Sequence, residues 1–180
     1  MKRSIQTDHA FTLIELMVTI AIFGILLTVA IFAYTRYVGT ARTQEVVSIT
    51  ADIAGRQQQY FARYSRYVDT GTANDFWPTT VDGSARPWGI DCSSGSLTAI
   101  QKSWCQLGIK VTGSIFYQYN TQGWNESKGT GDVPGGLGIP TNETWWLVVA
   151  RGDMDKDGIF STFRIHSHSG GRLQIINELE

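Results

Sequence analysis

Near the C-terminal end, Asp153-Met154-Asp155-Lys156-Asp157-Gly158 places three carboxylates at alternating positions ahead of a glycine. Alternating oxygen donors can converge on one point, and Gly permits the sharp turn that follows, as in the first half of an EF-hand-type Ca²⁺ loop. Ile159 would add its backbone carbonyl, and Ser161 or Thr162 a hydroxyl or a water bridge. The position where an EF-hand carries its bidentate Glu is Arg164, so the pattern is not an EF-hand. The same residues suit a solvated acidic turn, because Asp and Gly favour turns in their own right. The expectation is a structural Ca²⁺ on Asp153, Asp155 and Asp157, with Ile159, Ser161 and Thr162 completing its shell.

Catalytic chemistry finds fewer parts. Hydrolysis through a nucleophile needs a base and a group that orients the base. The chain has 3 His, and one of them, His9, lies in the N-terminal ten residues. His166 and His168 fall on one face of a predicted strand and Ser167 on the other, which makes a surface pair or a weak two-donor metal site. A membrane-anchored periplasmic hydrolase is therefore a distant alternative, and the chain reads as non-enzymatic. Arg151-Gly152-Asp153, Asn125-Glu126-Ser127 and Asn142-Glu143-Thr144 match short adhesion and glycan patterns of the kind that chance supplies.

One more carboxylate stands out by its surroundings. Glu15 borders an uncharged run from Leu16 to Ala33, LMVTIAIFGILLTVAIFA. As a helix this run is roughly 27 Å long, close to the hydrocarbon thickness of a bilayer. A secretory signal would have a shorter apolar stretch ending in a small-residue cleavage site, whereas here a polar segment of helical character follows. Lys2 and Arg3 on the short N-terminal flank hold that end in the cytoplasm, so the remainder faces outward. Glu15 within lipid would need a partner. At headgroup level it would instead be solvated and favourable beside a helix N-terminus.

The string Ala10-Phe11-Thr12-Leu13-Ile14-Glu15-Leu16-Met17-Val18, with its short basic leader and apolar run, resembles the processing site of type IV prepilins and type II secretion pseudopilins. The resemblance implies cleavage by a prepilin peptidase between Ala10 and Phe11, and N-methylation of the new Phe11 amine. It implies that Glu15 pairs with the N-terminal amine of a neighbouring subunit as the helix leaves membrane lipid for a fibre. Other pilin subunits, the peptidase and an inner-membrane assembly platform are the implied partners. The precursor would reside in the inner membrane and the product in an extracellular or periplasmic filament. Calcium loops between C-terminal strands also occur in some members. The chain departs from the family in three places. Ala10 stands where Gly is usual, Phe32 stands where a Pro usually kinks the helix, and the cysteines lie earlier than the family's usual pair.

Beyond the apolar run, residues 34–67 are Pro-free and rich in helix formers. Val38, Ala41, Glu45, Val46, Ile49, Ile53, Gln57, Tyr60, Phe61 and Tyr64 include an apolar stripe at spacings of three and four. One continuous helix from Phe11 to about Tyr67 is expected, its second half packed on a sheet. Residues 68–106 read as a long connector with short elements. Cys92 and Cys105 lie in this outward-facing part, where disulfides persist, and are expected to be bonded rather than free.

Strands are expected at Leu107–Thr112, Ile115–Tyr119, Trp145–Arg151, Ile159–His166 and Leu173–Ile176, with a Gly-rich loop at Gly129–Gly138. The fold class is α+β: a long N-terminal helix, membrane-spanning in its first half, on a C-terminal antiparallel sheet. The expected parts are a leader at 1–10, the helix at 11–67 and a globular head at 68–180. With 15 Lys+Arg against 16 Asp+Glu, the chain lacks the positive excess that phosphate tracking needs, which argues against nucleic acid as a partner. The expected function is a structural subunit of a type IV pilus-like filament, with a type II secretion pseudopilin as the close alternative.

Overall fold

The computed structural model describes residues 11–80, 82–125, 137 and 143–177. The chain divides into two compact units, Met1–Ala41 and Arg42–Glu180. The leader and Ala10 lie outside the described residues, as does nearly all of the expected Gly129–Gly138 loop.

One helix, α1 (Leu13–Tyr64), is uninterrupted through Gly24 and Phe32. Keeping a backbone N–H at position 32, where Pro would lack one, leaves the helical ladder intact there. The helix ends near the expected residue: Ser65 adopts φ 52°, and its N–H closes on the Phe61 carbonyl at 2.8 Å. Phe61 and Tyr67 then stack with ring centroids 4.5 Å apart, which turns the chain back.

In the larger unit, β3 (Gln118–Trp124), β4 (Trp145–Gly152), β5 (Ser161–His166) and β6 (Gln174–Ile176) form an antiparallel sheet in that order. The register pairs Tyr119 with Ala150 and Ala150 with Phe163, so these residues share the inner face. Gln118, Val149 and Arg164 belong to the alternate, outer face. Val46 and Ile53 of α1 pack with Trp104, Tyr119, Trp146, Val148 and Phe163 in one core. Gln57, fully buried in the same stripe, donates from Nε2 to the Val68 carbonyl and to Thr121 Oγ1, both at 2.8 Å. Its Oε1 accepts from the Val68 N–H at 3.0 Å. A polar residue in the stripe thus ties helix, returning chain and sheet together without leaving a buried group unpaired.

The connector holds two short strands, β1 (Arg86–Pro87) and β2 (Ser114–Ile115), paired antiparallel, and a second helix, α2 (Ala99–Leu107). The expected strand at Leu107–Thr112 is therefore wrong, because Leu107 is the last residue of α2. Thr98 caps the helix, with Gln101 completing a reciprocal capping box, and Gly108 ends it in the left-handed conformation. The expected strand Ile115–Tyr119 also breaks in two. The Phe116 N–H points to the Glu45 carboxylate, at 3.1 and 3.2 Å, instead of joining a ladder. The C-terminal strands are shorter at their starts than expected, beginning at Ser161 and Gln174.

Candidate functional site

Thr12 and Glu15 open α1 as a pair. The Thr12 N–H and Oγ1 donate to Glu15 Oε2 at 2.9 and 2.7 Å, while the Glu15 N–H donates to Thr12 Oγ1 at 3.3 Å. This is a capping box, in which side chains satisfy backbone donors that the first turn leaves open. The spacing Thr-x-x-Glu is legible in the sequence but was overshadowed by the apolar run. Phe11 is 81% exposed, and Leu13, Phe23, Leu27 and Phe32 are more than half exposed. The helix is long and apolar enough to cross a membrane, with a mean hydropathy of 2.7 in its most apolar window, none of it buried.

The three aspartates converge as their spacing suggests. Carboxylate oxygens of Asp153, Asp155 and Asp157 lie within 4.8 Å of one another. Asp153 is buried, and its oxygens accept from the Lys156 N–H at 2.7 Å and the Gly158 N–H at 3.2 Å. Asp155 accepts from Asp157 N–H, and Asp157 Oδ1 from Ile159 N–H at 2.6 Å. Each carboxylate oxygen has a second lone pair, so these turn bonds are compatible with a cation. An all-oxygen set of hard donors fits Ca²⁺ better than a metal that prefers nitrogen or sulfur.

The two hydroxyl donors do not stay together. Ser161 lies opposite Gly152 on the inner face, whereas Thr162 lies opposite Arg151 and lines an outer-face cavity with Arg164. Adjacent strand residues point to opposite faces, so the pair cannot both turn to one ion.

The histidines also separate. His166 ends β5, buried edge-on against Trp145 with centroids 6.5 Å apart, and burial, then the nearby His168, lowers its pKa. His168 lies in the following turn and meets Glu143 at 2.9 Å. They do not form the shared-face pair expected of one strand. Cys92 and Cys105 are disulfide-bonded, with Cα atoms 5.6 Å apart. The Asp153 of the Arg151-Gly152-Asp153 tripeptide is buried.

Glu45, a half-buried carboxylate in the stripe of α1, has a further role that its spacing does not reveal. Tyr119 Oη donates to its Oε1 at 3.1 Å, and burial raises its pKa despite the Phe116, Tyr119 and Tyr117 hydrogen bonds and the charge of Arg42. Burial, followed by the Glu45 charge, pushes the Tyr119 hydroxyl well above its ordinary range.

These elements define a class: a chain with an exposed, membrane-length N-terminal helix joined to a disulfide-bonded α+β head. Residues 6–31 match the family model described as the prokaryotic N-terminal methylation motif. The chain is 39% identical over 57 residues to the fimbrial protein EcpC of Eikenella corrodens, covering 32% of this chain and 37% of that protein. It is 29% identical over 96 residues to a fimbrial protein of Neisseria meningitidis, covering 53% of this chain and 56% of the relative. It is 30% identical over 96 residues to the type IV major pilin protein PilE1 of Neisseria gonorrhoeae, covering 53% and 45%. The chain thus spans about half or less of the length of the curated relatives it matches. No solved structure matches. The motif match and the fimbrial and pilin relatives are what this chain is similar to.

Proposed function

We propose that this chain is a structural, non-catalytic subunit of a type IV pilus-like filament, cleaved after Ala10, N-methylated on Phe11 and assembled from the inner membrane. The observation that carries this reading is the exposed apolar face of α1, headed by the Thr12–Glu15 pair within a methylation motif. Such a surface is satisfied by lipid before assembly and by other subunits' helices afterwards, so transfer between the two exchanges one apolar environment for another. Partners would be further pilin subunits, a prepilin peptidase and a membrane assembly platform.

The test is mass spectrometry of the protein recovered from cells with and without a prepilin peptidase. The expected product begins at methyl-Phe11, and an uncleaved chain in both strains would sink the reading. Deletion separates pilin from pseudopilin: loss of surface fibres supports the pilin, whereas trapped periplasmic exoproteins support a type II secretion pseudopilin.

Asp153, Asp155 and Asp157 are further proposed to hold a structural Ca²⁺, supported by their convergence within 4.8 Å. Calorimetry of the full chain in detergent should show Ca²⁺ binding that Asp155→Ala weakens by at least about tenfold. Absence of a Ca²⁺ signal in the unaltered chain would refute the proposal.

A further inference from the structure

The outer face of the β3–β6 sheet carries two arginines that form no ion pair with any described carboxylate. The Arg151 guanidinium lies 3.9 Å from the centroid of the Phe76 ring and 5.0 Å from that of Phe160, and its Nε donates to Gln118 Oε1. This cation is held between two aromatic faces and oriented by a hydrogen bond, so little motion remains to be lost when a ligand binds. Arg164 sits opposite Val149, next to Thr162, which is itself opposite Arg151. Arg164 is half-buried and makes no hydrogen bond or ion pair with any described residue. The acid on the chain segment crossing this face, Asp75, spends its Oδ2 on the Thr72 N–H and hydroxyl.

Both arginines line a cavity of about 200 Å³ together with Thr162, Asn120, Gln122 and Ala73. Asn120 is 1% exposed, and its Nδ2 donates to Thr70 Oγ1 and to the Thr72 and Asp75 carbonyls. Gln122, 2% exposed, donates to the Gly71 carbonyl. Asn120 thus commits its amide donors to the chain and Gln122 one of its two, while Asn120 Oδ1 and Gln122 Oε1 accept from no described residue. The cavity therefore offers fixed positive charge from two guanidiniums and acceptor oxygens from two buried amides.

Those features select a ligand. A guanidinium fork matches a planar carboxylate, and free amide carbonyls match hydroxyl donors. The volume falls below the roughly 300–1,000 Å³ that encloses drug-sized ligands. We propose that this cavity binds one carboxylate-bearing sugar unit of the uronic-acid type, with Arg164 gripping the carboxylate and Arg151 as the fixed second cation. Asn120 and Gln122 accept from the sugar hydroxyls. The site does not depend on how the N-terminal helix is used, so it stands or falls apart from the filament reading.

The test titrates the full chain in detergent micelles with glucuronate, glucose and inorganic phosphate, followed by ligand-observed nuclear magnetic resonance. Glucuronate should bind at least about tenfold more tightly than glucose, and Arg164→Gln should remove that advantage. Circular dichroism and thermal melting of Arg164→Gln show whether the variant keeps its fold. Should it not fold, isotope-labelled unaltered chain supplies the answer. Shifts on glucuronate addition that cluster at Asn120, Gln122, Thr162 and Arg164 support the site, and shifts elsewhere overturn it. Absence of glucuronate binding, binding unchanged in a folded Arg164→Gln, or phosphate binding as tight as glucuronate would each overturn the proposal.

Discussion

Tyr119 on β3 donates its hydroxyl hydrogen to Glu45 on α1 across 3.1 Å, joining helix to sheet through a half-buried carboxylate. Burial holds the Glu45 carboxyl above its ordinary 4.5, so folding favours the protonated form. For a group whose folded pKa is raised, the stabilising contribution is complete below the unfolded pKa. It is lost as pH rises through the folded value. Glu45→Gln removes this ionisation while keeping an acceptor for the Phe116 N–H. The variant should therefore flatten the fall in melting temperature as pH rises above the ordinary carboxylate range, measured by circular dichroism. Tyr119→Phe should do the reverse, costing about 1–3 kcal/mol by leaving the carboxylate short of a donor. A Glu45→Gln curve with the parent's slope would remove Glu45 as the cause.

The Cys92–Cys105 bond spans a sequence separation of 13 and ties the segment before α2 to Cys105 within the helix. In the chain-entropy picture, closing a loop of this length stabilises by about 3 kcal/mol. Trp104, fully buried beside Cys105, meets Trp88 edge-on with centroids 5.1 Å apart. A Cys92→Ser/Cys105→Ser double variant should melt lower and show red-shifted tryptophan emission below the main transition. Retention of the parent's melting temperature and emission would show that packing alone holds α2.

The apolar helix, the α+β order, the end of α1 and the three-aspartate loop were legible because each is carried by neighbouring residues. An uncharged run, a stripe at spacings of three and four, and alternating carboxylates are local patterns. Ser65 ends the helix close to where the pattern fades. The strand expected at Leu107–Thr112 failed although its signals are also local. Thr98-x-x-Gln101 opens α2 upstream, and Gly108, inside the expected strand, ends it. Glu45 could not be read because its role depends on Phe116 and Tyr119, more than seventy residues away. The same holds for Arg151, whose aromatic faces come from two separate loops.

Gly123 illustrates a constraint that no local pattern reveals. A Cβ added there would lie 2.7 Å from Tyr67 Cβ and 2.9 Å from the Tyr67 carbonyl oxygen. The obstacle includes backbone, so Tyr67 cannot yield by rotating its side chain. Gly123→Ala should push the returning chain away from β3 and cost about 1–3 kcal/mol, whereas Gly95→Ala, with open space around it, should not. Chemical denaturation of both variants makes the comparison. Equal stabilities would mean that β3 and the Tyr67 segment are not in the described contact.

Glu15 has a bond within its own chain and, under the proposed function, a second role between chains. Two substitutions separate them. Thr12→Ala removes the hydroxyl that accepts the Glu15 N–H, so the first turn should fray while the charge remains. Glu15→Gln keeps an oxygen for the Thr12 N–H, since Gln also serves in capping boxes, but removes the charge. If Glu15 acted only as a cap, Thr12→Ala would impair filament formation at least as much as Glu15→Gln. If its charge meets the amine of a neighbouring subunit, Glu15→Gln should abolish filaments while membrane insertion persists, and Thr12→Ala should assemble. Electron microscopy of sheared filaments, with membrane fractionation of the same cells, reads both properties at once. Assembly that survives Glu15→Gln would leave the cap as the only role of this carboxylate and remove the charge pairing from the proposed function.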